Sequence, residues 1–240
     1  MSDADSVPLS PTEFVAWLRE QGEARYHDKH VVHKLMHSGE LTKPQLQQWV
    51  LNRYYYQTRI PIKDALIVSK SNDSAFRRMW VRRIRDQDGD GDDEGGLVLW
   101  LRLADAVGLD RAEVASLRSV LPGVRFACDA YVDLVRQSSL LEAVASSLTE
   151  FFAPELMSRR IQAWERHYPW VDPAMLGYFR SRVSRAKRDS EEAVAFVVAQ
   201  ATTREWQRRC AAALVKKTEI LWHLLDCVYA AYVVPGRTTS

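Results

Sequence analysis

The sequence predicts an all-α protein, a compact bundle of seven to eight helices, and three observations carry that prediction. No segment sustains period-2 alternation of apolar and polar residues, and no Asn-Gly or Asp-Gly pair sits between β-branched runs. Helix-start signatures recur: Ser10-Pro11-Thr12-Glu13 and Thr42-Lys43-Pro44-Gln45 each set a hydroxyl at the N-cap, Pro in the first turn and Glu or Gln three residues on. Gly- and Pro-rich breaks at 88–96 and 122–123 separate apolar stretches of helical length.

The elements follow in order. Residues 1–9 read as a disordered tail, 10–234 as one helical domain and 235–240 as a C-terminal tail. The first helix runs from the Ser10 cap to about Gln21, with Gly22 after it. A short helix covers about Lys29–His37, and Thr42 caps the next one. Asn72 and Asp73 cap a helix from Ser74 to about Asp86. Asp88, Asp90 and Asp92 copy the first ligand spacings of a calcium loop. That loop needs Gly and Glu where Asp93 and Leu99 stand, so 88–96 reads as a plain connection. Leu97–Val107 is an apolar helix closed by Gly108, and Asp110 with Glu113 starts another. Pro122-Gly123 breaks the chain before a helix over about Val124–Arg136. Helices near Leu140–Phe152 and Glu155–Arg166 follow, then a turn at Tyr168–Pro173. Two long helices close the chain, about Ala174–Gln200 and Thr203–Val233, the second capped by Thr202 with Glu205 at N3.

Composition narrows the function classes. The net charge is only +2 with the signs interspersed, which gives no general attraction to nucleic acid or to a membrane surface. No apolar run approaches the roughly 20 residues that span a bilayer, and the polar, acidic start MSDADSVPLSP is not a signal peptide. Three cysteines, Cys128, Cys210 and Cys227, form no CxxC pair and read as reduced, buried thiols of a cytoplasmic protein.

One stretch, Trp49–Asp64, organises the rest. Arg53, Gln57, Ile60 and Asp64 fall on one helical stripe with Lys63 beside it, and Tyr54, Tyr55 and Tyr56 pack around them. Pro61 denies the Gln57 carbonyl its donor, so the helix is expected to kink or end there. Taken alone the stretch has two readings: a solvated helix with Trp49, Leu51, Tyr55 and Ile62 as its apolar face, the plainer one, or the wall of a polar cavity.

Other constellations are equally two-sided. His27, His30, His33 and His37 have metal-compatible spacings, yet there is no HExxH or ExxH, and an amphipathic, solvent-side helix is the favoured reading. Ser146, Ser147, Thr149 and Glu150 are small or polar groups inside an apolar helix, suited to a close approach or a cavity wall. No GxSxG or phosphate-cradling glycine loop accompanies them. Tyr178, Arg182 and Arg185 share a face that either is solvated or grips a carboxylate through the planar guanidinium fork. Lys217 either snorkels to solvent or lines a cavity.

Together the stretches Tyr26-His27, Asn52–Gln57 with Ile60–Asp64, Asp92–Gly96, Leu121–Ala127 with Asp129-Ala130-Tyr131, Ser146–Glu150, Tyr168-Pro169-Trp170, Tyr178–Arg182 and Lys217 with Ile220-Leu221-Trp222 resemble the pyrroloquinoline-quinone (PQQ) synthase family over nearly the whole chain. The resemblance implies a haem-oxygenase-like or TenA-like helical bundle, usually a homodimer, in the bacterial cytoplasm. It implies the last step of PQQ biosynthesis: ring closure and eight-electron oxidation of a bicyclic quinone precursor bearing carboxylates, with O2 as co-substrate and PQQ and hydrogen peroxide as products. No metal and no organic cofactor are implied, and other PQQ-biosynthesis proteins are possible partners. By the same resemblance Tyr26, Arg53, Tyr56, Gln57, Lys63, Arg83, Tyr131, Thr149, Arg160 and Lys217 hold the substrate, and His27, Gln87, Glu150, Tyr178 and Arg182 serve the chemistry.

Two positions depart from the family pattern. Asp86-Gln87-Asp88-Gly89 stands where the family commonly has Asp-His-Asp-Gly, and Met157 stands where some members have a histidine. An amide hydrogen-bonds but does not exchange a proton near neutral pH as imidazole does. The alternatives to an active synthase are therefore a homologue that binds PQQ or its precursor with oxidation stalled, and a TenA-like hydrolase, which wants a reactive Cys in the pocket.

Overall fold

A computed structural model describes residues 6–91 and 93–234; Asp92 of the acidic loop and residues 1–5 and 235–240 of the expected tails lie outside the described residues. Helix α1 (Pro11–Glu23) starts at a complete capping box, in which Ser10 Oγ accepts from the Glu13 N–H and the Glu13 carboxylate from the Ser10 N–H. Just before it, Leu9 exchanges two backbone hydrogen bonds with the Gln207 amide, so the inner end of the expected tail is anchored. A 3-10 turn (His27–Lys29) leads into α2 (Val31–Ser38), whose cap is an imidazole: His30 Nδ1 accepts from the Val32 N–H at 3.1 Å. Since Nδ1 accepts, Nε2 carries the proton and donates to Asp226 Oδ1 at 3.0 Å.

Helix α3 (Lys43–Ser69) begins at the second capping box, Thr42 with Gln45, and continues through Pro61 to Ser69. The expected stop at Pro61 does not occur. Proline removes one hydrogen bond, and packing of α3 against α4 (Ser74–Asp88), α5 (Gly95–Ala106) and α7 (Pro122–Gln137) holds the helix together. The remaining helices are α6 (Arg111–Ser116), α8 (Leu140–Ser146), α9 (Ala153–His167), α10 (Gly177–Gln200) and α11 (Arg204–Val228). The described residues thus form eleven α-helices rather than seven to eight: each of the helical segments read in order from the sequence is an element of its own.

Several boundaries move for identifiable reasons. Pro122 sits in the first turn of α7, where its missing N–H costs nothing, so it opens that helix instead of preceding it. The expected helix over 140–152 changes at Ser147 into a 3-10 segment, Ser147–Phe152, and α9 begins at Ala153 with Pro154 in its first turn. The cap of α11 is Thr203, whose hydroxyl accepts from the Trp206 N–H, and the helix gives way to a π turn at Tyr229–Val233.

The centre is aromatic. Trp49 of α3 meets Trp100 of α5 at 5.6 Å and Trp164 of α9 at 6.2 Å between ring centroids, and Phe179 of α10 closes on Trp164 at 5.4 Å. These rings join four helices into one core, and the space left beside them, between α3, α4, α9 and α10, is the pocket.

Candidate active site

The polar stripe of α3 faces inward. Gln57, Lys63 and Asp64 are buried, so the solvated-helix reading of this stretch is overturned. Desolvating such groups is costly unless they are paired, and the pairs are present. Lys63 Nζ lies 2.6 Å from Asp64 Oδ1 and donates to the Ser147 hydroxyl at 3.2 Å; Asp64 Oδ1 also accepts from the Trp80 indole at 2.8 Å. Burial works against the charge on Lys63, but Asp64 outweighs it and the ammonium stays above the ordinary lysine range.

Around this stripe opens a cavity of about 670 Å³ including its mouth. Helix α3 contributes Arg53, Tyr56, Gln57 and Lys63, while α4 contributes Arg83 and, one turn on, Gln87. The entry to the His27–Lys29 turn brings Tyr26 and His27, the 3-10 segment brings Thr149 and Glu150, and α10 brings Tyr178 and Arg182. Of the fifteen residues that the resemblance assigned to substrate or chemistry, all but Tyr131, Arg160 and Lys217 line the cavity. Those three stand directly behind it. Lys217 Nζ donates to the Tyr56 hydroxyl at 3.0 Å and sits 3.3 Å from the centroid of the Tyr131 ring. Arg160 donates to His33 Nε2 at 3.2 Å and lies over Trp49.

The cations fall into two groups. Arg83 and Arg182 are neutralised: Arg182 donates to Glu150 at 2.6 Å and lies 3.6 Å from Asp189, and Arg83 bonds the Asp189 carbonyl. Burial opposes the charge on Arg182, but Glu150, Tyr178 and Asp189 outweigh it and hold its pKa above the ordinary value. No ion pair to Arg53, Arg160 or Lys217 exists among the described residues. Arg53 stacks on the Tyr56 ring at 4.0 Å, and its buried Nη1 has no hydrogen-bond partner. Burial, with Arg53 nearby, pushes Arg160 down to about 9 and Lys217 well below the lysine range. The result is a positive pole at Arg53 and Arg160 that no carboxylate compensates, with Lys217 biased by the same burial toward its neutral amine.

At the other wall Tyr178 donates to Gln57 Oε1 at 2.7 Å, and Gln87 lies close to the same hydroxyl with its own Oε1 unpartnered. Burial raises the Tyr178 phenol. The Gly95-Gly96 pair permits this arrangement. Gly95 has φ +76°, and a Cβ on Gly96 would stand 2.3 Å from Gln87 Oε1. The glycines of the 93–96 loop therefore bring the start of α5 against the end of α4.

The histidines also differ from expectation. His27, His30 and His33 are buried, not on the solvent side, because α2 packs against α9 and the turn before it packs against α11. No group of three or more His, Cys, Asp or Glu among the described residues is arranged to hold a metal ion. Burial, then Arg53 and Arg160, keeps the His27 ring well below its ordinary pKa; burial, then Arg160 and His27, does the same for His33. Both rings are neutral at pH 7 in the folded protein and protonate below about 6.5 in the unfolded chain. Their contribution is therefore complete above that value and is lost as pH falls toward the folded values, at about 1.4 kcal/mol per pH unit for each ring. Thermal melting at about pH 7.5 and about pH 5.5 is expected to show a clear drop in Tm; equal melting temperatures would contradict neutral, buried rings.

Some lining groups escaped the sequence reading. Asp189, buried and facing Arg83 and Arg182, is the main one, together with Ala153 and Leu221. Asp189 continues the stripe 178, 182, 185 by one more turn, which is the signal that could have found it.

A helical bundle with a buried, cation-rich and phenol-rich pocket beside an aromatic core defines a class of proteins that enclose a small anionic molecule between helices. The model of the TENA/THI-4/PQQC family matches residues 16–227. A pyrroloquinoline-quinone synthase of Rhizobium meliloti (strain 1021) is 54% identical over 93% of this chain and 88% of its own length, and one of Pseudomonas entomophila (strain L48) is 49% identical over 95% and 90%. Among solved structures, a haem-oxygenase-like domain of unknown function from Shewanella denitrificans OS217 aligns with a TM-score of 0.74 at 14% identity, covering 97% of this chain and 99% of that one. A TenA homologue of Pseudomonas syringae pv. tomato aligns at 0.70 and 13% identity over 90% and 93%. The chain belongs to the TENA/THI-4/PQQC family, on its pyrroloquinoline-quinone synthase branch.

Proposed function

We propose that this chain catalyses the last step of PQQ biosynthesis, closing the final ring of a polycarboxylate quinone precursor and oxidising it by eight electrons with O2. The observation that carries the reading is the positive pole of Arg53 and Arg160, with the Lys217 amine behind it; none of the three has a carboxylate partner among the described residues. Buried cations left unpaired call for an anionic ligand. In this reading Arg53, backed by Arg160 and Lys217, receives carboxylates, while Lys63, Arg83 and Arg182 stabilise negative charge developing on quinone oxygens. Tyr26, Tyr56, Gln57, Tyr131 and Thr149 complete the substrate shell. His27, held neutral with an unpartnered Nδ1, takes a proton in this reading only once substrate carboxylates offset Arg53 and Arg160, the cations that oppose its protonation, and Glu150, Gln87, Tyr178 and Arg182 border the site of oxidation. The reading needs no metal and no organic cofactor, and it extends to a homodimer in the bacterial cytoplasm that exchanges ligands with other PQQ-biosynthesis proteins. No described helix is long and apolar enough to cross a membrane.

A second reading, precursor binding with stalled oxidation, is favoured by one observation: the groups at the Tyr178 hydroxyl are the amides of Gln57, which accepts from it, and Gln87, which lies beside it, and neither exchanges a proton near neutral pH. A hydrolase reading lacks its nucleophile. Burial pushes the Cys128 and Cys210 thiols up to about 12, and no thiol lines the cavity.

Anaerobic mixing with the quinone precursor followed by admission of oxygen separates these readings. A spectral change on binding and then conversion to PQQ with peroxide release is the expected result. A halt at a quinol or quinoid species would favour the stalled homologue, and no spectral change at all would overturn both.

A further inference from the structure

The cavity borders four cations, Arg53, Lys63, Arg83 and Arg182, and three carboxylates, Asp64, Glu150 and Asp189. Asp64 and Glu150 each serve one cation at hydrogen-bond distance. Asp189 is different because it sits among three guanidiniums at once. Arg188 Nη2 donates to its Oδ1 at 2.8 Å, Arg182 Nη1 lies 3.6 Å from Oδ2 and Arg83 Nε 4.0 Å from Oδ1, while Arg83 Nη2 bonds the Asp189 carbonyl. Arg83 arrives from α4, and the other two arginines come from α10 itself. Arg188 is tied onward to Asp86, beside Gln87 at the end of α4. The Asp189 carboxylate is buried, and burial alone would favour its neutral form; Arg83 and Arg182 outweigh that and hold it below the usual carboxylate range.

We propose that Asp189 is a positioning and specificity-determining residue: it is the shared counter-ion that holds Arg83 and Arg182 at the pocket wall and keeps them from capturing a small inorganic anion. Three arginines gathered around one point form an anion site unless that point already carries an anion. With Asp189 ionised, a monovalent or divalent anion such as phosphate gains little at this wall. A ligand carrying several carboxylates on one rigid frame still binds, because it also reaches the unpaired pole at Arg53. The identity of that ligand rests on the function proposed above; the exclusion of small anions does not.

The test uses inorganic phosphate as the probe, by calorimetry on the wild-type protein and on Asp189→Asn, which keeps the shape and an acceptor for Arg188. The wild type is expected to bind phosphate only weakly, through Arg53, and the variant to bind it with a millimolar Kd through Arg83 and Arg182 as well, an affinity gain of about tenfold or more. Conservative Asp189→Glu restores the wild-type result. Equal phosphate binding by wild type and Asp189→Asn overturns the inference. Titrating PQQ in the presence and absence of phosphate adds the link to function. Phosphate is expected to weaken PQQ binding in the variant and leave the wild type within about twofold, and an identical phosphate effect in both overturns the inference. A wild type that binds no PQQ would count against the proposed function alone, since the phosphate result stands by itself. Should Asp189→Asn fail to fold, the wild-type carboxyl carbon of Asp189, followed by NMR, still decides: titration below the ordinary aspartate range is expected, and an ordinary titration overturns the shared counter-ion.

Discussion

Arg53→Met is expected to weaken PQQ binding by roughly a hundredfold or more while leaving the melting temperature nearly unchanged. The two effects separate because of what Arg53 does in the empty pocket. Its Nη1 is buried without a partner, and its favourable contact is the Tyr56 ring at 4.0 Å. Methionine keeps the apolar stem over that ring and removes a donor whose desolvation costs about 1–3 kcal/mol. The lost cation–π contact, about 0.5–2 kcal/mol, offsets this gain. Binding has no such offset, because Arg53 is the cavity-lining cation without a carboxylate of its own among the described residues, and Arg160 and Lys217 stand one layer back. Arg53 also opposes protonation of His27, Lys217 and Arg160, so residual binding in the variant should depend more steeply on pH. A variant that binds PQQ as tightly as the wild type, read by absorbance titration, would remove the positive pole from the argument.

Gln87→His is expected to speed the oxygen-dependent phase by about a hundredfold, with precursor binding unchanged. The reason lies in what surrounds Tyr178. Its hydroxyl donates to one amide, Gln57, and lies beside another, Gln87; burial raises its own pKa, and Glu150 with Asp189 holds the Arg182 proton above the ordinary range. No group at this wall both gains and loses a proton near neutral pH, and Gln87 is the one whose replacement by imidazole supplies that capacity. Its Oε1 is unpartnered, so the exchange breaks no hydrogen bond at that atom. The imidazole has to fit against Gly96, whose missing Cβ leaves the room that the Gln87 amide occupies. Stopped-flow absorbance after oxygen admission to the anaerobic complex reads the rate. An unchanged rate would mean that protons leave by another route, such as His27, and that the amide is no handicap.

Local chemistry was largely readable in advance. The capping boxes at Ser10 and Thr42, the aspartate caps at Asp73 and Asp110 and the helices they start follow from residues within one turn of each other. Errors arose where distant packing decided. Pro61 could have ended α3 by its own chemistry, but the helix packs against α4, α5 and α7 and runs on to Ser69. His30 reads as one more surface histidine until Asp226, almost two hundred residues away, is found on its Nε2. The candidate site divides the same way. The motifs identified which cations and phenols to watch, and most of them do meet in one cavity. Nothing in the linear order of Arg53, Lys63, Arg83, Arg182 and Lys217 says which of them are already neutralised.

The sequence by itself determined the helical class, the capped helix starts at Ser10, Thr42, Asp73 and Asp110 and the family, because those rest on short-range hydrogen bonding, helical periodicity and motifs spread along the whole chain. Only the tertiary structure decided the charge balance of the pocket. It set Asp64 on Lys63 and Asp189 on Arg83 and Arg182, left Arg53 without a counter-ion among the described residues, and put Lys217 and Arg160 a layer behind. The physical reason is that a charge acts over a few ångströms of low-dielectric interior, and which charges come that close is settled by how the helices pack.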